Sequence, residues 1–347
     1  YERLELRPAR HVTVLTGPNA AGKTNALEAV SLACRGASFR RMAPADAVRW
    51  GSDIAVVEAV AEGENGPVTV RLEAPAAGRR RWSVNGKVKR SSADLAGLVP
   101  VVSFTPDDLG MVKGSADARR DALDALGSSL SAGYAKAVAE YGRVVRQRNA
   151  LLRDENADRT AMVAWDERLA EAGGRLGALR LRLLARVVPA AAEAHSSVGG
   201  EALAVTYEST WAGGATEADE LAARIRDGLR ERQAEERARK ATLTGPHRDD
   251  LAFSIGGHDA RAFASQGQQR TAVLAWKMAE VAVVREVAAR TPVLLLDDVM
   301  SELDAGRRDA LTALLGEDTQ ALITTTNIGY FSSGLLDGAA IVEVGPA

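Results

Sequence analysis

The chain has 347 residues, 46% of them hydrophobic, with a net charge of −2 and a pI of about 6.2. That supports more than one core, and no run reaches the roughly 20 apolar residues of a membrane span. The near-neutral balance argues against a wholly basic nucleic-acid coat, although 44 Lys and Arg leave room for a local basic surface, and aromatics at 4% argue against an extended base-stacking platform.

The first stretch, to about Asp107, alternates short apolar runs with turns. Residues 12–16 read as a buried strand and 26–34 as a helix. Residues 54–62, 68–74 and 81–84 read as strands split by turns at 63–67 and Asn85-Gly86, a meander rather than a βαβ repeat. Cys34, the only cysteine, permits neither an intrachain disulfide nor a multi-cysteine metal site. It reads as a small buried helix residue, and it fits a reducing cytoplasm. No charged-then-apolar leader suggests export. Because the chain opens at Tyr1, a few native residues are expected ahead of it.

Residues 116–241 are almost all helix by periodicity: 119–126, 132–153, 159–195 and 218–239. The break at 154–158 predicts an antiparallel hairpin of long helices, and residues 203–210 offer a strand. Residues 230–240 are nearly all charged and read as a solvated helix face or a contact surface. From Thr242 strands and helices return. Residues 251–255, 293–298, 321–325 and 341–344 are strands, and 266–290 a helix.

The apolar strand at 12–16 runs into Gly17-Pro18-Asn19-Ala20-Ala21-Gly22-Lys23-Thr24, followed by Asn25 and a helix. This is the G-x-x-x-x-G-K-T phosphate loop in the context it requires. Its inward N–H groups and the helix N-terminus would hold the phosphates of ATP. Lys23 would reach the β- and γ-phosphates, and Thr24 would ligate Mg²⁺. Residues 293–298 form an apolar strand ending in Asp297-Asp298. Asp297 is the candidate Mg²⁺ ligand, and Asp298 the candidate for positioning the attacking water.

Ser265-Gln266-Gly267-Gln268-Gln269-Arg270 opens a long helix, with Ser265 as a good N-cap. A helix N-terminus is a second phosphate-binding device. Two such devices make sense if the second serves a nucleotide on another copy, the ABC-ATPase arrangement. A plain capped helix is the bland alternative. Ser301 to Asp304 matches the spacing of the ABC D-loop, though S-x-x-D is also an ordinary cap.

The order phosphate loop, helical insertion, S-Q-G-Q-Q-R-T and L-L-L-D-D-V-M-S-E-L-D resembles the RecF family of SMC- and Rad50-like ATPases. So do G-K-T-N-A-L-E-A (22–29), F-T-P-D-D-L (104–109), Lys113-Gly114 with Arg119-Arg120, and T-G-P-H-R-D-D (244–250). The resemblance spans residues 1–326. It implies an α/β fold: a Rad50-like ABC-ATPase head with mixed sheets around the phosphate loop, plus an all-helical lobe with a short antiparallel coiled coil. The expected division is head at 1–115, helical lobe at 116–241 and head again at 242–347.

The resemblance also implies ATP and Mg²⁺ as cofactors, an ATP-dependent head-to-tail homodimer, and slow hydrolysis. Double-stranded DNA and single/double-strand junctions, bound without sequence specificity and more strongly with ATP, are the expected nucleic-acid partners, with RecR and RecO as the implied protein partners, in loading RecA at single-strand gaps and stalled forks in the cytoplasm, with no membrane. Three departures stand out. Asp298 replaces the usual Glu, one methylene shorter, so turnover is expected to be slow. Thr324-Thr325-Thr326-Asn327 carries no His, and residues 104–108 replace the usual Q-loop. Candidate DNA contacts are Arg40 and Arg41, Arg79, Arg80 and Arg81, Lys87 with Lys89 and Arg90, and Arg119 and Arg120. A transporter-type ATPase subunit and a phosphate-loop kinase are the competing readings. The first is disfavoured by the helical insertion and the G-P-H-R-D-D segment, the second by the signature and D-loop.

Overall fold

The computed structural model describes residues 1–40, 44–63, 66–154, 156, 158–316 and 318–345, the side chains at 44, 45 and 159 excepted. Arg41 lies outside the described residues, as do Glu64 and Asn65 of the first turn and Glu155 and Ala157 of the helix break. In chain order come β1 (Val12–Thr16), α1 (Lys23–Arg35), β2 (Ile54–Ala61), β3 (Val68–Pro75), β4 (Arg81–Val84), β5 (Lys87–Lys89) and β6 (Val101–Phe104). Then follow α2 (Gly110–Lys113), α3 (Ala116–Leu130), α4 (Ala132–Arg153), α5 (Arg159–Val198), β7 (Leu203–Glu208), α6 (Ala218–Glu231) and α7 (Gln233–Arg239). The chain continues with β8 (Asp250–Ile255), β9 (His258–Asp259), α8 (Ala260–Phe263), α9 (Gln266–Ala288) and β10 (Val293–Asp297). It ends with α10 (Ala305–Ala313), β11 (Ala321–Thr325), α11 (Ser333–Leu336) and β12 (Ala340–Glu343).

Two compact units emerge, Tyr1–Leu109 with Val273–Ala347, and Gly110–Ala272. The first holds a five-stranded parallel sheet of order β12-β1-β11-β10-β6 and an antiparallel meander, β2-β3-β4-β5. The parallel strands read as unbroken apolar runs because both faces are covered. Leu15, Leu295 and Leu322, all within 2% of fully buried, pack with Leu27 and Cys34 of α1. Cys34 is a core residue, and burial pushes its thiol up to about 11. The meander turns its inner face, Val70, Leu72 and Ala74, towards Leu32 and Leu95.

The second unit is helical with a sheet of its own. Helices α4 and α5 pack along each other, and α6 packs on α5. Antiparallel β7-β8-β9 makes this unit other than all-helical. Residues 242–272, which the sequence reading placed in the head, pack here instead. The reason is local: β8 takes β7 as its partner, and Thr242 is held by Asn149 and Arg148 of α4. The unit boundary falls inside α9.

Candidate nucleotide site

Parallel pairing places the site. Register aligns Leu15 with Thr324, and Thr324 with Asp297. The phosphate-loop strand and the metal strand are thus separated by one strand, and that strand carries a hydroxyl between them.

Strand β1 ends at Thr16, and the chain curls through Gly17 to Gly22 into α1. Gly17 has φ +152°, and a Cβ there would stand 2.4 Å from the Val344 carbonyl oxygen, so no larger residue fits. Pro18, Asn19 and Ala20 are exposed, while Ala21 is buried. Lys23 is buried, and its ammonium donates to the carbonyls of Gly17 at 2.7 Å and Pro18 at 2.8 Å. The hydroxyl of Tyr1 donates to the Ala21 carbonyl at 3.2 Å. Asn25 Oδ1 accepts from Arg40, whose guanidinium also lies 3.7 Å from Glu28.

Asp297 Oδ1 accepts from Thr24 Oγ1 at 2.8 Å and from Thr324 Oγ1 at 2.8 Å. The two sequence-predicted metal ligands therefore meet, 273 residues apart. Their hydroxyl and carboxylate are hard oxygen donors suited to Mg²⁺ with phosphates and water completing the shell. No cluster of three or more His, Cys, Asp or Glu that could hold a metal alone occurs among the described residues. Asp298 sits at φ +50°, its N–H donating to Thr324 Oγ1 at 2.9 Å and to the Thr324 carbonyl at 3.2 Å. Its Oδ1 is buried with no hydrogen-bond partner. Burial raises its pKa, the charge of Asp297 adds to the rise, and Lys23 opposes it. A carboxylate oxygen left unpaired beside the phosphate loop fits a site built for a further ligand.

Ser265 caps α9 as expected, and with a partner the sequence reading missed. Ser265 Oγ accepts from the Gln268 N–H at 3.2 Å, and Gln268 Oε1 accepts from the Ser265 N–H at 2.9 Å. This is a capping box. Gln269 is buried, its amide bonded to the Ala264 carbonyl, whereas Ser265 and Gln266 are exposed. Gly267 accepts from Thr271, and Arg270 is half-buried. Asp304 caps α10 through the Arg307 N–H, and Ser301 donates to the Asp298 carbonyl at 2.8 Å.

The Q-loop position holds a buried charge cluster that no motif announced. Asp108 Oδ2 accepts from the Thr105 N–H, and its Oδ1 lies 3.1 Å from Lys277, which also meets Glu280. Trp276 donates to Glu280 at 2.9 Å. Burial works to lower the Lys277 pKa, but Asp108 and Glu280 outweigh it and hold it up.

The DNA candidates divide. Arg119 is a brace rather than a surface cation, because it is buried and bound through two nitrogens to Asp250, with a third on the Gly114 carbonyl. Arg120 is taken up by the Asp249 carbonyl and Asp117. Arg79, Arg81, Lys87 and Arg90 are exposed, Arg80 and Lys89 half-buried. Residues 230–240 are a mostly solvated run, except that Glu236 is fully buried against Arg148.

A family model described as "RecF/RecN/SMC N terminal domain" matches residues 1–340. The DNA replication and repair protein RecF of Acaryochloris marina is 38% identical, over 96% of this chain and 91% of its own length. That of Pelotomaculum thermopropionicum is 40% identical, over 96% and 93%. The chain belongs to the RecF family. A solved structure of the recombination mediator RecF with ATP, in the RecFOR pathway, superposes with a TM-score of 0.88 at 30% identity, over 94% of this chain and 89% of that one. An Smc head bound to ScpA shares the fold, with a TM-score of 0.54 at 14% identity. The RecF-family chain therefore has an SMC-like ABC-ATPase head and binds ATP. No helix among the described residues is long and apolar enough to cross a membrane.

Proposed function

We propose that this chain is a cytoplasmic recombination mediator whose working state is an ATP-bound, head-to-tail pair of copies on DNA. In this reading residues 1–109 and 273–347 hold the nucleotide, and residues 110–272 form the arm and carry the Ser265 segment. The observation that carries it is the meeting of Thr24, Asp297 and Thr324 beside the unpaired oxygen of Asp298.

The phosphate-loop N–H groups and Lys23 bind the phosphates, Lys23 exchanging its loop carbonyls for phosphate oxygens. Thr24 and Asp297 would hold Mg²⁺, which when bound would offset the negative charge on the β- and γ-phosphates. Asp298 orients a water and takes its proton as the water oxygen bonds to the γ-phosphorus and the bond to the bridging oxygen breaks. Its shorter reach suits slow turnover, and DNA that favours the pair would stimulate it. Exposed Ser265 and Gln266 at the N-terminus of α9 serve the γ-phosphate held by the other copy, and the Ser301–Asp304 segment lines the same junction. Hydrolysis then releases the pair. Likeness to RecF of the RecFOR pathway supports RecO and RecR as partners and RecA loading at gaps and stalled forks as the output.

Sedimentation with Mg²⁺ plus ADP, ATP or a slowly hydrolysed analogue tests this. The expected result is a dimer with ATP or analogue only, lost in Ser265→Arg while ATP still binds. An unchanged monomer in every nucleotide would overturn the pairing.

A further inference from the structure

The meander carries a feature that the nucleotide site does not use. Register sets Ile54 beside Pro75, Glu73 beside Arg81 and Trp82 beside Lys89. The start of β2, the β3–β4 loop and the end of β5 therefore share one end of this sheet. The Ala76 N–H donates to the Asp53 carbonyl at 2.8 Å and ties the first two together. Arg49, Trp50, Arg79, Arg80, Arg81 and Arg90 all come to that end. Lys87, across the Asn85-Gly86 turn, lies at the opposite one.

Trp50 is 95% exposed. The Ser52 N–H donates to the Arg49 carbonyl at 3.0 Å, and Gly51 at φ +82° takes the left-handed position of a type II turn. Trp50 occupies the corner of that turn, so its ring projects instead of folding back. An indole that could cover roughly 200 Å² in a core is left facing water. The cations beside it are equally uncommitted. Arg79, Arg81 and Arg90 are exposed and enter no ion pair among the described residues. Arg80 Nε is buried without a partner. Among the described residues Arg49 meets Glu2 alone, at 3.7 Å with both side chains largely in solvent, a pair worth little.

Four adjacent strands make a row roughly 14 Å wide, long enough for several successive phosphates. Guanidinium groups bind phosphate bidentately, and a projecting indole offers a flat face to a base. A closed duplex keeps its bases stacked on each other and presents none. We propose that this end of the meander binds a single-stranded stretch of DNA, its phosphates on the arginine row and one unpaired base stacked on Trp50. The proposal rests on the DNA-binding reading above and adds where, and in which form, the DNA is held.

The test uses the full chain with Mg²⁺ and a slowly hydrolysed ATP analogue, and it titrates oligo(dT) and a blunt duplex by anisotropy and tryptophan emission. Trp50→Ala is expected to weaken oligo(dT) binding about tenfold and leave duplex binding and basal ATP hydrolysis unchanged. Trp50→Phe should bind within about threefold of the parent, as stacking survives, while losing the emission change that oligo(dT) causes in the parent. Replacing Arg79 and Arg81 by Gln should lower the salt slope for oligo(dT) by about 1.4. If Trp50→Ala binds oligo(dT) as the parent does, or weakens both DNAs alike, this site is wrong while DNA binding stands. If the parent binds neither DNA, the underlying reading falls with it, and an acidic protein becomes the partner to seek.

Discussion

The phosphate loop and the Gly245–Asp250 segment are equally conspicuous as motifs, yet their polar groups stand in opposite conditions. Around the phosphate loop, Lys23 rests on two carbonyls of its own loop, and Asp298 Oδ1 is buried with nothing to accept from. In the second segment every charged or titratable side chain is taken. His247 is bonded through both ring nitrogens, to Tyr141 at 2.6 Å and the Thr242 carbonyl at 3.0 Å. Arg248 lies on the same carbonyl, Asp249 accepts from Tyr207 and Trp211, and Asp250 grips Arg119. Satisfied buried networks specify architecture; unsatisfied groups beside a loop rich in inward donors await a ligand. Two segments that mark the family equally well thus differ in build: one leaves a buried polar oxygen unpaired, the other ties every charged side chain into the architecture.

The sharpest break in this contrast is Arg180→Ala. Arg180 spans Asp124 through two nitrogens, at 2.9 and 2.7 Å, and the Pro246 carbonyl through the third at 2.6 Å. Removing it leaves the largely buried Asp124 carboxylate without its cation, held by the Tyr134 hydroxyl, and about 3 kcal/mol of stability should go, read as an earlier urea transition. ATP binding by the protein that remains folded should persist.

Asp298→Asn should do the reverse. ATP hydrolysis should drop by about 10²–10⁴-fold with a urea transition no earlier than the parent's, because an amide relieves the repulsion from Asp297. Normal hydrolysis would remove Asp298 from its assigned role. Thr324→Val falls between the two. It deletes two hydrogen bonds worth about 1 kcal/mol each and should raise the Mg²⁺ concentration needed for half-maximal hydrolysis.

Acidification separates the regions by cause. Burial first, then the charges of Arg248, Arg120 and Arg180, push His247 down to about 4, against the Thr242 carbonyl. Between about pH 6.5 and 4 the unfolded chain takes up a proton that the folded one refuses. Stability should therefore fall with pH by up to about 1.4 kcal/mol per unit. His247→Gln should flatten that slope. Hydrolysis should fail on acidification at a higher pH than an ordinary carboxylate would require, because Asp298 is raised.

The geometry of the phosphate loop and the metal strand was legible because it is written in contiguous signals: a glycine loop between strand and helix, and an apolar strand ending in two acids. What escaped depends on partners far along the chain. Thr324 is one of three consecutive threonines, and only the strand order singles it out. Glu236 sits in a charged run that periodicity assigns to solvent, yet it fills the side of Arg148. Lys277 and Glu280 look like an ordinary i,i+3 pair until Asp108 joins them. Arg119 read as a surface cation because nothing local announces Asp250. The boundary at 242 was missed for a like reason, since β8 does not show in its own sequence that β7 is its neighbour.

The position of β1 has a consequence for synthesis. Its hydrogen-bond partners are β11 on one side and β12 on the other. A ribosome delivers the phosphate-loop strand long before either of its neighbours. Until residues 321–343 emerge, Val12 to Leu15 have no sheet to join, while residues 110–272 are already complete. A chain that stops short of β11 can thus build the arm but never the parallel sheet around the nucleotide loop, so the fold withholds that site from any copy lacking these two strands.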